Sequence, residues 1–262
     1  MMREESMPAP VVFIGHGNPM NAIEDTPFTR SLTQLSQRLE KPKAILVISA
    51  HWLSSSCEVS LHESDDALMY DMYGFPDPLY EVEYPAPNAN FLYERLQGLF
   101  VGIKVRDRAL DHGTWSVLKY LFKDADVPVM QFAIGSSLTM QEHFELGKKL
   151  RVLRQEGVMI IGSGNVTHSL LSINWDREGS IVAWAQEFHD FVHVALQEKR
   201  FDALINIRQH PYTSKAHPSI EHFIPLLYSA GALFEDEEAE FFYEKIEHGS
   251  LSMLSWISKR SD

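Results

Sequence analysis

The sequence predicts an α/β fold, a single three-layer domain over residues 1–262 with a mixed central sheet flanked by helices. Three apolar runs support this, at residues 11–14, 44–50 and 158–162. Such continuous runs are typical of strands that are buried on both faces. Segments with helical features lie between the runs, which is the order of β-α-β units with parallel strands.

Each of these three runs leads to a histidine. The first reads V-V-F-I-G-H-G-N-P-M from residue 11 to residue 20 and places His16 between two glycines. The second continues into His51-Trp52, and the third continues through S-G-N-V-T to His168. Because ligands of open α/β sheets bind at the carboxyl ends of the strands, one site is expected at this edge.

A helix is predicted between the first two strands. It begins at Thr26-Pro27, where Thr26 is the cap and Pro27 the first helical residue, and it ends near Glu40 before Lys41-Pro42. This strand-helix-strand order predicts a parallel pair with a right-handed crossover. The pairing would bring the first two histidines to the same edge.

The remaining elements follow from caps and periodicity. Residues 64–88 contain four prolines and four tyrosines without a regular period, and they are interpreted either as the wall of an aromatic-lined pocket or as a surface loop packed by its tyrosines. The sequence T-M-Q-E at 139–142 is a capping box. Helices are predicted at 88–99, 111–122, 139–155, 178–199, 201–207 and 219–230, and strands at 103–105, 127–134, 241–247 and 250–257, the last two antiparallel.

Composition narrows the class of protein. The 262 residues are 45% hydrophobic and 23% charged, and the net charge of −13 argues against nucleic acid and anionic membranes as partners. Neither a signal peptide nor an apolar run of membrane-spanning length is found, so a cytoplasmic location is expected. The single cysteine, Cys57, excludes a thiolate zinc cluster, so a metal would require imidazole and carboxylate ligands.

The histidines carry the chemical signal. His16, His51, His112 and His168 follow or flank glycine-rich breaks, and neutral imidazole serves both as a metal ligand and as a base near neutral pH. A single histidine is more often hydrogen-bonded to nearby backbone, but four at repeated strand ends favour a common site. The sequence lacks a G-x-S-x-G elbow, a dinucleotide fingerprint and a phosphate-binding loop, which leaves metal chemistry or histidine acid/base catalysis.

A second histidine pair is a weaker candidate. His189 and His193 are four residues apart on a predicted helix, but Asp190 stands where a zincin requires glutamate. A solvated helix face is therefore the preferred interpretation of this pair.

Seven ordered motifs resemble one family over nearly the whole chain. They resemble the class III extradiol ring-cleaving dioxygenases, the group of the protocatechuate 4,5-dioxygenase catalytic subunit, and within it the DOPA 4,5-dioxygenase-like branch. The motifs are G-H-G-N-P-M (15–20), S-A-H-W (49–52), Y-P-A-P (84–87), D-H-G-T-W-S-V-L (111–118), G-S-G-N-V-T-H (162–168), E-H-F-I-P-L-L-Y (221–228) and G-S-L-S-M (249–253).

The resemblance implies a function and a set of site residues. His16, His51 and His222 would bind the metal, His168 would be the acid/base and a fourth ligand when substrate is absent, and His112 would line the pocket. Better-studied members use two histidines and a glutamate. Here His222 takes the third place beside Glu221, and adjacent helical residues point about 100° apart, so only one can readily face the metal.

The implied reaction is extradiol opening of a DOPA-like or related catechol by O2 to a semialdehyde. Activity would require Fe(II), whereas Zn(II) can occupy a site of imidazoles and has no redox chemistry. Two alternatives remain open at this point: a non-catalytic binding protein on the same scaffold and a zinc-dependent hydrolase.

Overall fold

The structure is a computed structural model that describes residues 7–62 and 68–261. Helices in these residues span ten segments: α1 (Pro27–Ser36), α2 (Asp77–Tyr80), α3 (Asn90–Leu99), α4 (His112–Leu121), α5 (Met140–Leu150), α6 (Val152–Gln155), α7 (Ala183–Gln197), α8 (Phe201–Ile205), α9 (Thr213–Ala216) and α10 (Ile224–Gly231). Short 3-10 turns occupy Pro19–Ala22, Leu170–Ser172, Ile207–Gln209 and Ile220–His222.

The strands of the same residues form one large sheet and three small ones. They are β1 (Val11–Gly15), β2 (Ala44–Ser49), β3 (Leu53–Ser54), β4 (Glu58–Leu61), β5 (Lys104–Asp107), β6 (Val129–Gln131), β7 (Ile134–Gly135), β8 (Val158–Gly164), β9 (Glu237–Tyr243), β10 (Ile246–Glu247), β11 (Leu251–Ser252) and β12 (Ser255–Arg260). The large sheet has the strand order β6-β2-β8-β1-β12-β9.

This sheet is mixed, as predicted. The four strands β6, β2, β8 and β1 are parallel to one another, whereas β12 is antiparallel to both β1 and β9. The prediction that the first two strands pair directly is wrong, because β8 lies between β1 and β2. Their common direction is nevertheless preserved, so all three strands end at the same edge.

Apolar side chains fill both faces of the sheet. Along β1, Val11 and Phe13 belong to a cluster that includes residues of α3, α5, α7 and α10, whereas Val12 and Ile14 belong to a second cluster with residues of α1 and α4. Alternation of side chains along a strand produces this division. The predicted three-layer α/β architecture is confirmed.

Local signals located several helix starts correctly. Thr26 caps α1 with Pro27 at the first helical position, and Thr139 and Glu142 form the expected capping box of α5. Asn88, however, does not cap α3, which begins at Asn90. Its side chain instead bonds the backbone N–H and C=O of His62, joining two segments 26 residues apart.

The predicted ends of three other elements are displaced. The strand expected at 127–134 divides into β6 and β7, because β6 pairs with β2 whereas β7 pairs with β3. The helix expected from residue 178 begins at Ala183, after Val182 has donated its N–H to Gly249. The strand expected at 241–247 is β9, which ends at Tyr243 and is followed by the β10-β11 hairpin.

Part of the predicted loop at 64–88 lies outside the described residues. From residue 68 onward its only helix or strand in the structure is the short helix α2, and the hydroxyls of Tyr70 and Tyr84 donate to backbone carbonyls of Val82 and Phe122. Across residues 7–62 and 68–261, no helix is both long enough and apolar enough to cross a bilayer.

Candidate active site

Five histidines meet at the carboxyl edge of the parallel strands. His16 immediately follows β1, His51 lies two residues after β2, and His168 lies four residues after β8. His112 is the first residue of α4, and His222 ends the 3-10 turn that precedes α10. The structure therefore brings together all of the histidines that the sequence assigned to the site.

Three of these side chains form a compact group of possible metal ligands. One ring nitrogen from each of His16, His51 and His222 lies within 4.8 Å of the others. The Nε2 atoms of His16 and His51 are 3.1 Å apart, and the ring of His222 is centred 5.5 Å from that of His16 and 5.0 Å from that of His51. The three residues come from distant parts of the chain.

The other ring nitrogens of this group face acceptors. Nδ1 of His16 lies 3.0 Å from the hydroxyl of Ser163, which itself donates to the carbonyl of Gly113 and is thus free to accept. Nδ1 of His222 lies 3.2 Å from a carboxylate oxygen of Glu221. Such contacts place the proton on Nδ1 and leave Nε2 available as a ligand.

A buried atom without a partner supports the fit of a metal. Nε2 of His222 is buried and has no hydrogen-bond partner in the described part of the chain. An unsatisfied buried nitrogen is costly, and a cation beside it would remove that cost. Three neutral imidazoles, two of them with Nδ1 held by a hydrogen bond, are a suitable donor set for a divalent transition metal.

Burial keeps this cluster neutral. Burial, reinforced by the neighbouring imidazoles, lowers the pKa of His16 and of His222 well below the ordinary value of 6.5. The same two causes lower the pKa of His51 to about 4, although Asp111 and Asp71 oppose the shift. Neutral imidazole is the form that binds a metal, so the site is prepared for binding at neutral pH.

His112 also lies beside His51. Its ring is centred 4.0 Å from that of His51, and its Nδ1 atom is 2.8 Å from Oδ1 of Asp71. Oδ2 of the same carboxylate is 3.4 Å from Nδ1 of His51. Burial raises the pKa of Asp71, but the hydrogen bonds from His112 and the electrostatic interaction with His112 and His51 outweigh this and lower the pKa to about 2.

His168 stacks on His222. The two rings are centred 3.5 Å apart and are inclined by only 5°. Burial lowers the pKa of His168 to about 4, with Glu221 opposing the shift. Within the described residues, the group of converging ligand nitrogens contains His222 but not His168. The roles of His168 as acid/base and as a fourth ligand remain predictions.

Two glycines allow the histidine-bearing elements to approach closely. A Cβ on Gly113, in the first turn of α4, would lie 2.7 Å from Oγ of Ser49 and 3.0 Å from Cδ2 of His51. A Cβ on Gly164, at the end of β8, would overlap the carbonyl of His222. The glycines in the D-H-G and G-S-G motifs therefore set the spacing of the site.

The pair His189 and His193 does not belong to this site. Nδ1 of His189 is 2.8 Å from the hydroxyl of Ser252, and Nε2 of His193 is 2.8 Å from Glu244. Neither residue occurs in a group of possible metal ligands among the described residues. The description of this pair as a solvated face is wrong for His189, which is buried.

Sequence reasoning missed three residues that support the histidines. Ser163 lies in the G-S-G-N-V-T-H motif without an assigned role, yet its hydroxyl holds Nδ1 of His16. Glu221, the alternative to His222 as a metal ligand, instead contacts Nδ1 of His222 through its carboxylate. Asp71 lies in the loop at 64–88, where an acidic residue between apolar and aromatic neighbours was the available signal.

The chain is similar to several proteins of known sequence. It is 41% identical over 253 residues to the 4,5-DOPA dioxygenase extradiol of Escherichia coli (strain K12), with 94% of this chain and 93% of that protein covered. It is 36% identical to the protein of that name from Beta vulgaris, with 93% and 94% covered. The crystal structure of an uncharacterized protein from Escherichia coli K12 matches with a TM-score of 0.83 and 38% identity, covering 95% of this chain and 99% of that one.

A family match includes the whole site. Residues 8–255 match the family described as the catalytic LigB subunit of aromatic ring-opening dioxygenase. This range contains the five clustered histidines together with Asp71, Ser163 and Glu221. The chain therefore belongs to the family of the catalytic LigB subunit of aromatic ring-opening dioxygenases.

Proposed function

We propose that this metal-dependent extradiol dioxygenase opens the ring of a DOPA-like catechol with O2, using Fe(II) held by His16, His51 and His222. The observation that carries the proposal is the convergence of three imidazoles, one with a buried, unpartnered Nε2 atom, at the sheet edge of a ring-opening dioxygenase. The catalytic domain would extend over residues 1–262.

The three histidines would hold the metal, with Ser163 and Glu221 fixing two of the rings. Bound Fe(II) would supply the redox chemistry that the reaction of a catechol with O2 requires. Zn(II) binds imidazole sites tightly but has no redox chemistry, so zinc-loaded protein should be inactive. This difference makes zinc a useful control.

His168 is the proposed acid/base. Because burial lowers its pKa to about 4, its imidazole is neutral at physiological pH and can accept a proton from a catechol hydroxyl. Its ring stacks on His222, so it borders the proposed metal position without sharing the compact ligand group. A fourth-ligand role would require movement of this ring toward the metal when substrate is absent.

His112 is proposed to line the substrate pocket. It is buried at the start of α4, and its Nδ1 atom is engaged by Asp71. The remaining nitrogen, Nε2, is the atom that can meet a substrate oxygen. His112 would therefore position the catechol rather than remove its proton.

The names of relatives support the proposed substrate class. Proteins named 4,5-DOPA dioxygenase extradiol from Escherichia coli, Beta vulgaris and Portulaca grandiflora are 41%, 36% and 33% identical to this chain. We therefore propose DOPA or a related catechol as substrate and a ring-opened semialdehyde as product. The expected cytoplasmic location stays a prediction.

The proposal is tested by anaerobic loading with Fe(II), addition of DOPA and admission of air. Oxygen uptake that matches formation of a yellow ring-opened product supports it, and zinc-loaded protein serves as the inactive control. Absence of oxygen uptake over a panel of catechols would instead favour a binding protein. A hydrolytic activity in zinc-loaded protein alone would favour the zinc hydrolase.

A further inference from the structure

In the described part of the chain, Asp71 is the one carboxylate that contacts two of the clustered histidines. It is adjacent to neither of them in sequence. It lies in the segment after β4, next to the buried Met72 and to Tyr70, whose ring packs 5.8 Å from that of Trp115 in α4. The segment is therefore packed against α4 where Asp71 enters the site. Only 18% of the Asp71 side chain is exposed.

Each oxygen of this carboxylate faces a different histidine. Oδ1 accepts from the backbone N–H of His112 at 3.1 Å and lies 2.8 Å from its Nδ1 atom. Oδ2 lies 3.4 Å from Nδ1 of His51. An ionised carboxylate only accepts hydrogen bonds, so the bond to His112 places a proton on its Nδ1 atom, and the charge of Oδ2 favours a proton on the nearby Nδ1 atom of His51.

This arrangement fixes the chemistry of both rings. With the proton on Nδ1, a neutral imidazole presents Nε2 as a lone pair. Nε2 of His51 is the atom that lies 3.1 Å from Nε2 of His16, in the compact ligand group. Asp71 thus fixes the Nδ1–H tautomer of His112 and favours, at His51, the tautomer that can bind a metal.

Asp71 also takes over a capping role from Asp111. Asp111 is the N-cap residue of α4, but its side chain makes no capping hydrogen bond. Its carboxylate accepts from Ser49, Gln131 and Thr114 instead. The acidic group that satisfies the first N–H of α4 therefore comes from a residue 41 positions earlier, and its charge also complements the helix dipole.

We propose that Asp71 is a positioning residue that holds His51 and His112 in their Nδ1–H tautomers and joins the loop to the active site. The inference rests on the proposed function only in assigning His51 to the metal and His112 to the substrate. Outer partners of this kind typically change metal affinity or activity by about 10- to 100-fold.

A rival explanation uses the same three residues. His51, Asp71 and His112 also form a group whose ligand atoms lie within 4.8 Å of one another, so they could hold a metal themselves. The hydrogen bond of 2.8 Å between Asp71 and His112 favours positioning, because the pair is satisfied without a metal. A metal bound there would overturn the proposal.

The test compares D71A and D71N with the matched control D77N. Asp77 is an exposed aspartate at the start of α2, so D77N makes the same charge change outside the site. Tautomers are measured by nitrogen-15 NMR of metal-free, histidine-labelled protein, and zinc affinity by competition with a chelator. Neither measurement depends on the turnover of a catechol, so a failure of the proposed function would leave both results interpretable.

In wild-type and D77N protein, His112 should carry its proton on Nδ1, and zinc affinity should be equal. D71A should give mixed tautomers at His112 and weaken zinc binding by about 10- to 100-fold. D71N retains one acceptor oxygen, so it should restore the His112 tautomer and only part of the affinity. The proposal would be overturned if folded D71A had the tautomers and zinc affinity of the wild type. It would also be overturned if the wild type bound a second metal ion that D71A did not bind.

Discussion

At the scale of single residues, the two histidines that flank the proposed metal position differ in their partners. His168 stacks on His222 and makes no ion pair with Asp71, whereas His112 is hydrogen-bonded to Asp71. The first is thus suited to accept and return a proton, and the second to hold a substrate in place. The two roles can be separated by mutation.

We predict that His168→Ala lowers turnover of iron-loaded protein by roughly 10²-fold or more, the usual scale for general acid/base catalysis. Burial lowers the pKa of His168 to about 4, and the base must be neutral, so wild-type turnover should fall at acid pH. This acid limb of the pH profile should be absent from His168→Ala and present in His112→Ala. Loss of the limb only in the His112 variant would reverse the assignment.

The helical pair provides a negative prediction at the same scale. Exchange of both His189 and His193 for Ala removes contacts to Ser252 and Glu244 but no ligand of the proposed site. Metal content after gel filtration and turnover per bound iron should therefore match the wild type. A loss of metal from the folded double variant would mean that the site has been assigned to the wrong element.

At the scale of elements, the site depends on how closely α4 approaches the end of β2. We predict that Gly113→Ala weakens metal binding by about tenfold, the lower end of the range for residues that orient ligands. The added Cβ would lie 3.0 Å from the ring of His51 and displace it. Zinc affinity measured by chelator competition checks this expectation.

Gly98→Ala is the matched control for that variant. Gly98 is in α3, and its added Cβ would meet only Arg95, at an ordinary distance of 3.7 Å. The change should leave zinc affinity intact and raise helix stability by about 0.5–1 kcal/mol. Equal zinc affinity in the two variants would contradict the role given to Gly113.

Features that depend on local sequence patterns could be predicted, whereas features that depend on long-range contacts could not. Strand ends at His16 and His51 could be identified because apolar runs stop abruptly at glycine or polar residues, and parallel strands share an edge. The insertion of β8 between β1 and β2 could not be predicted, because strand order depends on long-range pairing. The position of His222 followed from family resemblance rather than from any local pattern.

Partner residues were the least predictable part of the site. Asp71 reaches its histidines from a segment without regular periodicity, and Ser163 acts through a contact between strands that are adjacent only in the fold. Hydrogen-bond partners of this kind depend on how distant segments are arranged in the folded protein. The chemical type of the site was therefore predictable from residue types, whereas its hydrogen-bonding pattern required the structure.

At the scale of the whole molecule, buried histidines make the stability of the metal-free protein depend on pH. The pKa is lowered to about 4 by burial in His51, His143, His168 and His217. Between pH 6.5 and about 4, the unfolded chain consequently binds more protons than the folded protein does. The free energy of unfolding should fall as the pH falls through this window, and be retained above it.

Denaturant titrations of chelator-treated protein at several pH values measure this dependence. His143 allows a single contribution to be tested away from the metal site, since its Nδ1 atom faces the hydroxyl of Tyr228. His143→Gln should reduce the number of protons linked to unfolding by about one. A free energy of unfolding that is constant from pH 6.5 to 4 would contradict the neutral, buried state assigned to these histidines.

We expect one metal to be held by His16, His51 and His222 at the carboxyl edge of the sheet. Anomalous X-ray diffraction from crystals of the zinc-loaded protein locates that metal. We predict one strong peak at about 2.0–2.1 Å from an Nε2 atom of each of these three histidines. A peak bound instead by His51, Asp71 and His112, with His16 and His222 left free, would contradict the claim.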